Sequence, residues 1–230
     1  GIIPPYMVNR CSIFTDTINV GLASFDTTAV IRYTTDGREP VSSSPLFVTP
    51  QKITETTTLL AKAWYNGNQS RTVSFTVTRK EPRIAEKDTI IHGKGLSIKV
   101  FEGTFNQLPD LDSLESSSTI ISDELSIAHA GTTNRFALLF EGFIEVPDTG
   151  VYGFHVTSDD GSRLTIGDET LIQNDGIHGM VEKSGYVALS AGLHPFRLEY
   201  FQRTGGLGLE VSVESRGNQK LPLPEGWLFH

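Results

Sequence analysis

The stretch Thr157-Ser158-Asp159-Asp160-Gly161-Ser162-Arg163-Leu164-Thr165-Ile166-Gly167 leaves one alternating strand and enters another. Upstream, Tyr152, Phe154 and Val156 share one face and Gly153, His155 and Thr157 the other, the period of a half-buried strand. Downstream, Leu164 and Ile166 return to an apolar face, so Asp-Asp-Gly-Ser is the turn between two core strands. Asp159 and Asp160 therefore stand at a strand end, on a rim, where adjacent carboxylates repel one another. Either they are solvated turn formers bonded to nearby backbone N–H groups, or a cation holds them together, a hard ion such as Ca²⁺ being the usual one. A second rim loop, Gln173-Asn174-Asp175-Gly176-Ile177-His178-Gly179, adds an amide and another carboxylate. Oxygen donors from two loops are what a Ca²⁺ site or a sugar-hydroxyl site requires.

Outward from this turn the period stays at two. Leu96, Ile98 and Val100 alternate with polar residues, as do Phe136, Leu138, Phe140, Ile144 and Val146. Two late strands follow, through His194-Phe196-Leu198-Tyr200 and Leu207-Leu209-Val211-Val213. A polar loop carries Asp110, Asp112 and the serines 116–118, and Asp123-Glu124-Leu125 starts a brief helical turn. Residues 94–230 thus read as an antiparallel β-sandwich or barrel. Residues 11–78 are shorter strands punctuated by Asp36-Gly37 and Asn66-Gly67-Asn68, hairpin chemistry suited to a small sandwich. The charged, Pro-bearing residues 80–93 read as a linker. The expectation is an all-β chain: a small antiparallel sandwich at 1–79, a linker at 80–93 and a larger sandwich at 94–230.

The 230 residues carry 19 basic and 27 acidic side chains, a formal charge of −8, with no basic run to neutralise phosphates. Nucleic acid is therefore an unsuitable partner. Cys11 is the only cysteine, which excludes an internal disulfide or a cysteine-based zinc site and suits a small buried hydrophobe. No apolar run approaches transmembrane length, so no membrane insertion is expected and the chain reads as soluble. It starts abruptly at Gly1-Ile2-Ile3-Pro4-Pro5, which is no signal peptide and reads as the start of a piece of a longer protein.

Two resemblances follow from particular residues. Ile31-Arg32-Tyr33-Thr34-Thr35-Asp36-Gly37-Arg38-Glu39-Pro40, the Ser-rich loop, Ile53-Thr54-Glu55-Thr56-Thr57-Thr58-Leu59 and Ala61-Lys62-Ala63 resemble the chitobiase/β-hexosaminidase C-terminal domain, an immunoglobulin-like module of secreted bacterial glycosidases. The second half resembles the protective-antigen fourteen-kilodalton module, through Gly95 to Gly103, Leu108-Pro109-Asp110-Leu111-Asp112, Phe140 to Ile144, Thr149 to Phe154, Thr157 to Leu164, Asn174-Asp175-Gly176 and Leu223 to Leu228. In sugar-binding members of that family the paired aspartates ligate Ca²⁺ across a cis peptide, an asparagine from a later loop joins them, and sugar hydroxyls complete the shell. The resemblance thus assigns Asp159, Asp160 and Asn174 to the metal. Asp175 and His178 of the second rim loop stand beside them as ligand-binding residues, His155 could line a sugar pocket or be a solvated histidine, and Trp227 could stack on a sugar face although its place in the C-terminal tail favours packing. In enzyme-attached members the resemblance also allows Arg163 or backbone N–H groups to neutralise the pair.

Catalysis lacks its context. Glycosidases need two carboxylates about 5–10 Å apart in a cleft, and although Asp159-Asp160 and Asp123-Glu124 are pairs, no βαβ pattern supplies a (β/α)₈ barrel to hold them. Gly-x-Ser-x-Gly and phosphate-loop signatures are absent, and Gly205-Gly206-Leu207-Gly208 reads as a bend before a strand. What the resemblances imply is a non-enzymatic, monomeric, Ca²⁺-assisted carbohydrate-binding region. It would belong to a secreted, periplasmic or surface bacterial glycosidase, β-N-acetylhexosaminidase-like, with glycan or the parent's catalytic domain as partner. The alternative is a spacer or bracing pair with no ligand.

Overall fold

The computed structural model describes residues 1–215 and 219–230, and the chain divides into two units, Gly1–Glu81 and Pro82–His230. Both are built from strands, and among the described residues the helical content is confined to 3₁₀ turns. No helix among the described residues is long and apolar enough to cross a membrane.

In the first unit Val30–Thr34 pairs antiparallel with Thr57–Tyr65, which pairs antiparallel with Val73–Arg79. Ile13–Phe14 joins that last strand in parallel, and two short pairs, Ile18–Val20 with Gln51–Ile53 and Tyr6–Met7 with Leu22–Ala23, lie outside this sheet. Phe14, Val20, Leu22, Ile31, Leu59, Ala61 and Val77 form its core. Asn66 and Gly67, at φ of 47° and 75°, make the left-handed turn that an Asn-Gly pair supplies between Thr57–Tyr65 and Asn68–Gln69.

The second unit contains strands β1 (Leu96–Glu102), β2 (Ser118–Ser122), β3 (Phe136–Val146), β4 (Gly150–Asp159), β5 (Ser162–Ile166), β6 (Glu169–Asn174), β7 (Val181–Leu189), β8 (Gly192–Gln202), β9 (Gly208–Ser215), β10 (Leu221–Pro222) and β11 (Leu228–Phe229). Among the described residues one sheet runs β2-β1-β3-β8-β5-β6, with β11 also paired to β3, and the other runs β7-β4-β9-β10. Their inner faces meet in a core that includes Ile98, Phe140, Tyr152, Phe154, Leu164, Leu198 and Tyr200. The helical turn expected to start at Asp123 forms instead at Ile127–Ala130, because Ser126 supplies the cap: its Oγ accepts the Ala128 N–H at 3.2 Å.

Residues within the 80–93 stretch find partners despite having no apolar period. Arg83 N–H donates to Ala188 O at 2.8 Å and Glu86 N–H to Leu193 O at 2.8 Å, while Ser190 Oγ accepts the Ala85 N–H at 2.8 Å. The backbone there extends along the ends of β7 and β8, so its polar groups are satisfied as a strand's would be.

The sheet containing β8 is covered on its outer face as well. Phe101, Leu108, Leu111, Ala137, Leu139 and Phe201 form a second cluster beneath the segment that carries Leu108 and Leu111. Beside it lies an ionic network. Glu199, 1% exposed, receives Arg163 Nη2 at 2.8 Å and Arg197 Nη2 at 3.1 Å, while Arg197 also reaches Glu141 at 2.6 Å and Asp112 at 3.0 Å. The hydrogen bonds to Glu199 raise the Arg163 pKa above its ordinary value. Replacing Glu199 by Leu leaves Arg163 without a carboxylate partner among the described residues and takes one of three from Arg197. The expected loss is about 2–3 kcal/mol, below the roughly 3–5 of a fully buried pair because both arginines keep some water. Urea unfolding followed by Trp227 emission in a Trp64→Phe background measures it.

Candidate functional site

β4 ends at Asp159 and β5 begins at Ser162, which leaves Asp160 and Gly161 to turn the chain. The Asp159–Asp160 peptide bond is cis. Both polar groups of that peptide are taken by β8: Tyr200 Oη donates to the Asp159 carbonyl, and the Asp160 N–H donates to Gln202 Oε1 at 3.0 Å. Tyr200 and Gln202 are both fully buried, and burial raises the Tyr200 pKa so that the phenol keeps its proton. Gly161 is required by space, since a Cβ there would stand 2.5 Å from the Phe201 ring and 2.9 Å from Gly176 N.

The two carboxyl groups have different surroundings. Asp160, 2% exposed, accepts the His178 N–H on Oδ1 at 3.2 Å and the Arg203 N–H on Oδ2 at 2.9 Å. Asp159 is 8% exposed, yet among the described residues no donor is placed on its carboxylate. Burial first, and then the charge of Asp160, raise its pKa, opposed by His178. Arg163 does not serve the pair. Alternation turns Ser162 and Leu164 inward and Arg163 to the opposite face, where it holds Glu199.

The second rim loop lies against this turn. Asn174, 4% exposed, donates through Nδ2 to Ser158 Oγ at 3.1 Å and Val181 O at 2.9 Å, and its side-chain carbonyl receives no hydrogen bond among the described residues. Asp175 is tied to the scaffold through Oδ1, which accepts the Leu108 and Gly176 N–H groups, each at 2.7 Å. The His178 ring nitrogens face Gly179 O at 2.8 Å and Asn174 O at 3.0 Å, so the imidazole closes its own loop while its backbone N–H reaches Asp160. Asp159, Asp160, Asn174 and His178 are thus brought together by β4, β6 and the turns that follow them. Among the described residues no group of three or more His, Cys, Asp or Glu is placed to hold a metal, so an oxygen-donor set here has to draw on other groups than these side chains.

Two sequence candidates are elsewhere. His155 faces outward earlier on β4, with Nε2 at 3.2 Å from Glu214 and Nδ1, buried and without a hydrogen bond among the described residues, 3.5 Å from Glu182. Trp227 packs edge-on against Tyr152 at 6.1 Å. Asp123 and Glu124 line a separate cleft of about 290 Å³ together with Leu125, Glu210, Leu223 and Glu225. Sequence reasoning missed Tyr200, Gln202 and Gly206, which frame the pair from β8 and its loop. The Gly205-Gly206 cluster was the available signal, and it is indeed a bend before β9.

Residues 92–225 match the family model of the PA14 domain, and residues 12–76 match that of the chitobiase/beta-hexosaminidase C-terminal domain. Solved structures share the fold at low identity. The PA14 domain of the MpAFP antifreeze protein is 17% identical with a TM-score of 0.52, and the match covers 63% of this chain and 95% of that one. The PA14 sugar-binding domain from an RTX adhesin is 16% identical at a TM-score of 0.50, over 60% and 98%. An anti-sigma factor domain-containing protein is 16% identical at 0.52, over 98% of this chain and 82% of that one. No curated protein matches the chain.

The state of Asp159 has a measurable consequence. With its folded pKa above the ordinary value of about 3.9, the folded protein keeps a proton that the unfolded chain has already released. Stability from this group is therefore highest below the ordinary value and falls as pH rises through the raised folded value. In chelator, Asp159→Asn should stabilise the chain at pH 7, and the gain should vanish as pH drops below about 4. Thermal melts across pH test both halves.

Proposed function

Residues 92–225 make this chain a member of the PA14 domain family, and from that membership we propose that its second unit is a non-catalytic carbohydrate-binding module whose ligand is held at the Asp159–Asp160 rim with the help of Ca²⁺. The observation that carries the reading is Asp159 itself: a residue 8% exposed, beside a second carboxylate, with no donor among the described residues placed on its carboxylate. Leaving a buried charge unmatched costs folding free energy, and groups held in that state cluster at binding sites.

The residues present fit a hard cation. Asp159, Asp160 and Asn174 offer only oxygen donors, Asp160 keeps lone pairs beyond its two main-chain hydrogen bonds, and the Asn174 carbonyl is unclaimed. A bound Ca²⁺ has coordination positions to spare for neighbouring sugar hydroxyls. The chain's own part is to fix the donors: Tyr200 and Gln202 hold the peptide between the aspartates, Ser158 and Val181 aim the Asn174 amide, and the His178 and Arg203 N–H groups orient Asp160. Asp175 and His178 stand at the rim as further residues able to meet the sugar.

The RTX adhesin domain of similar fold is titled sugar-binding, which supports the substrate class. The match at 12–76 supports a parent that acts on glycans, a secreted or surface bacterial glycosidase of β-N-acetylhexosaminidase type, with this region as a monomeric accessory outside the cytoplasm. A second reading, a bracing or protein-interaction module without a ligand, is favoured by the main-chain bonds that fully seat Asp160.

Glycan-array binding with and without Ca²⁺ separates the two readings. Under the first, glycan retention falls at least tenfold on chelation and in Asp159→Ala. Under the second, no glycan is retained in either condition and Asp159→Ala changes only the melting temperature.

A further inference from the structure

The loop between β8 and β9 comes closer to the acid pair than its sequence announces. A Cβ added at Gly206 would stand 2.3 Å from Asp159 Oδ2, a separation that real Cβ contacts do not show. The approach is fixed from below. Gln202 Nε2 donates to the Gly206 carbonyl at 2.6 Å, while Gln202 Oε1 accepts the Asp160 N–H at 3.0 Å, so one fully buried amide joins the loop to the aspartate turn. The loop also meets the other rim. A Cβ at Gly208 would stand 2.5 Å from Met180 Sδ, which places the Met180 side chain over that glycine. Asp159 is therefore bounded by a loop that cannot retreat without breaking the Gln202 bridge and cannot carry a side chain where it passes the carboxylate.

From this we infer that Gly206 is a positioning residue of the rim: by having no side chain it lets the β8–β9 loop close while the Asp159 carboxylate keeps the place from which a cation or a sugar hydroxyl uses it. The inference rests on the reading of the rim as a ligand site. A methyl group at position 206 has two ways to fit, turning the Asp159 carboxylate away or lifting the loop off Gln202, and each changes the donor set. A flexible side chain in the neighbour's place could move aside at little cost, but Asp159 is buried and its backbone carbonyl is held by Tyr200.

The test uses the whole chain with Ca²⁺ alone as probe. Melting temperature is followed against free Ca²⁺ for the wild type, Gly206→Ala, Asp159→Ala and Gly226→Ala, the last at a glycine with open space around it. The expected result is a Ca²⁺ midpoint at least tenfold higher for Gly206→Ala and unchanged for Gly226→Ala, whatever the Gly206→Ala melt in chelator. A merely structural role would lower the melt in chelator and leave the midpoint alone, which overturns the inference. Should Gly206→Ala not fold, wild-type chain labelled with ¹⁵N-glycine decides: the Gly206 amide signal moves on Ca²⁺ addition while that of Gly226 does not, and an unmoved Gly206 signal overturns the inference. The two levels separate cleanly. A wild-type Ca²⁺ response lost in Asp159→Ala but kept in Gly206→Ala removes this inference and leaves the rim site standing, whereas no wild-type response to Ca²⁺ removes both.

Discussion

Two adjacent carboxyl groups at the end of β4, on residues 8% and 2% exposed, repel one another when both are ionised, and the charge of Asp160 raises the Asp159 pKa. The second unit accommodates this by giving the two groups unequal surroundings. Asp160 is seated on the N–H groups of His178 and Arg203. Asp159 receives no such donor among the described residues, and its raised pKa lets it take up a proton more readily. The peptide between them is held on both sides by β8, through Tyr200 and Gln202, so neither residue can relieve the repulsion by swinging the backbone outward.

The arginine nearest to this turn in sequence is kept away from it. Arg163 is the nearest guanidinium in sequence, but the strand period carries it to the outer face. There Glu199 holds it together with Arg197, and Asp112 and Glu141 complete the network. Asp175, which the spacing of the second rim loop offered as a ligand-binding residue, has its Oδ1 held by the Leu108 and Gly176 N–H groups. That bond fastens the rim loop to the segment lying over the outer cluster of Phe101, Leu139 and Phe201. The rim is thus anchored through a second, smaller core behind the sheet.

What could be read from the sequence was what has a period or a turn dipeptide. Alternation at Tyr152 to Val156 and at His194 to Tyr200 placed the core strands, Asn66-Gly67 placed a hairpin, and Asp-Asp-Gly-Ser placed the rim. The outer cluster was hidden because Leu108 and Leu111 sit in a stretch rich in aspartate and serine, where two buried leucines make no pattern. The residues that frame the acid pair were hidden for a related reason. Tyr200 and Gln202 look like ordinary members of an alternating strand, and their role comes from a register that puts Ser162 opposite Tyr200. Gly206 read as part of a bend before a strand, whereas its position against Asp159 depends on a side-chain bond from Gln202. Contacts made across the sheet by residues distant in sequence have no local signature to read.

The aspartates of the first unit show what an acidic turn former looks like in this same chain. Asp26 Oδ1 accepts the Thr28 N–H at 2.9 Å and Asp36 Oδ1 accepts the Arg38 N–H at 3.0 Å, both exposed and both bonding two residues on. The Asp26 pKa is lowered, first by the Thr28 hydroxyl and then by its N–H, so ionisation there favours the fold. Asp159 inverts each property: it is buried, its carboxylate makes no such bond among the described residues, and ionisation works against the fold. A residue whose only task was to turn the chain would gain nothing from that arrangement, and Asn or Ser would turn it without the charge. A carboxylate poised to be completed by a cation or by hydroxyls does gain, because the interaction missing from the protein is then supplied by the ligand. This contrast, drawn within one polypeptide, is what weighs the rim toward recognition and away from scaffolding.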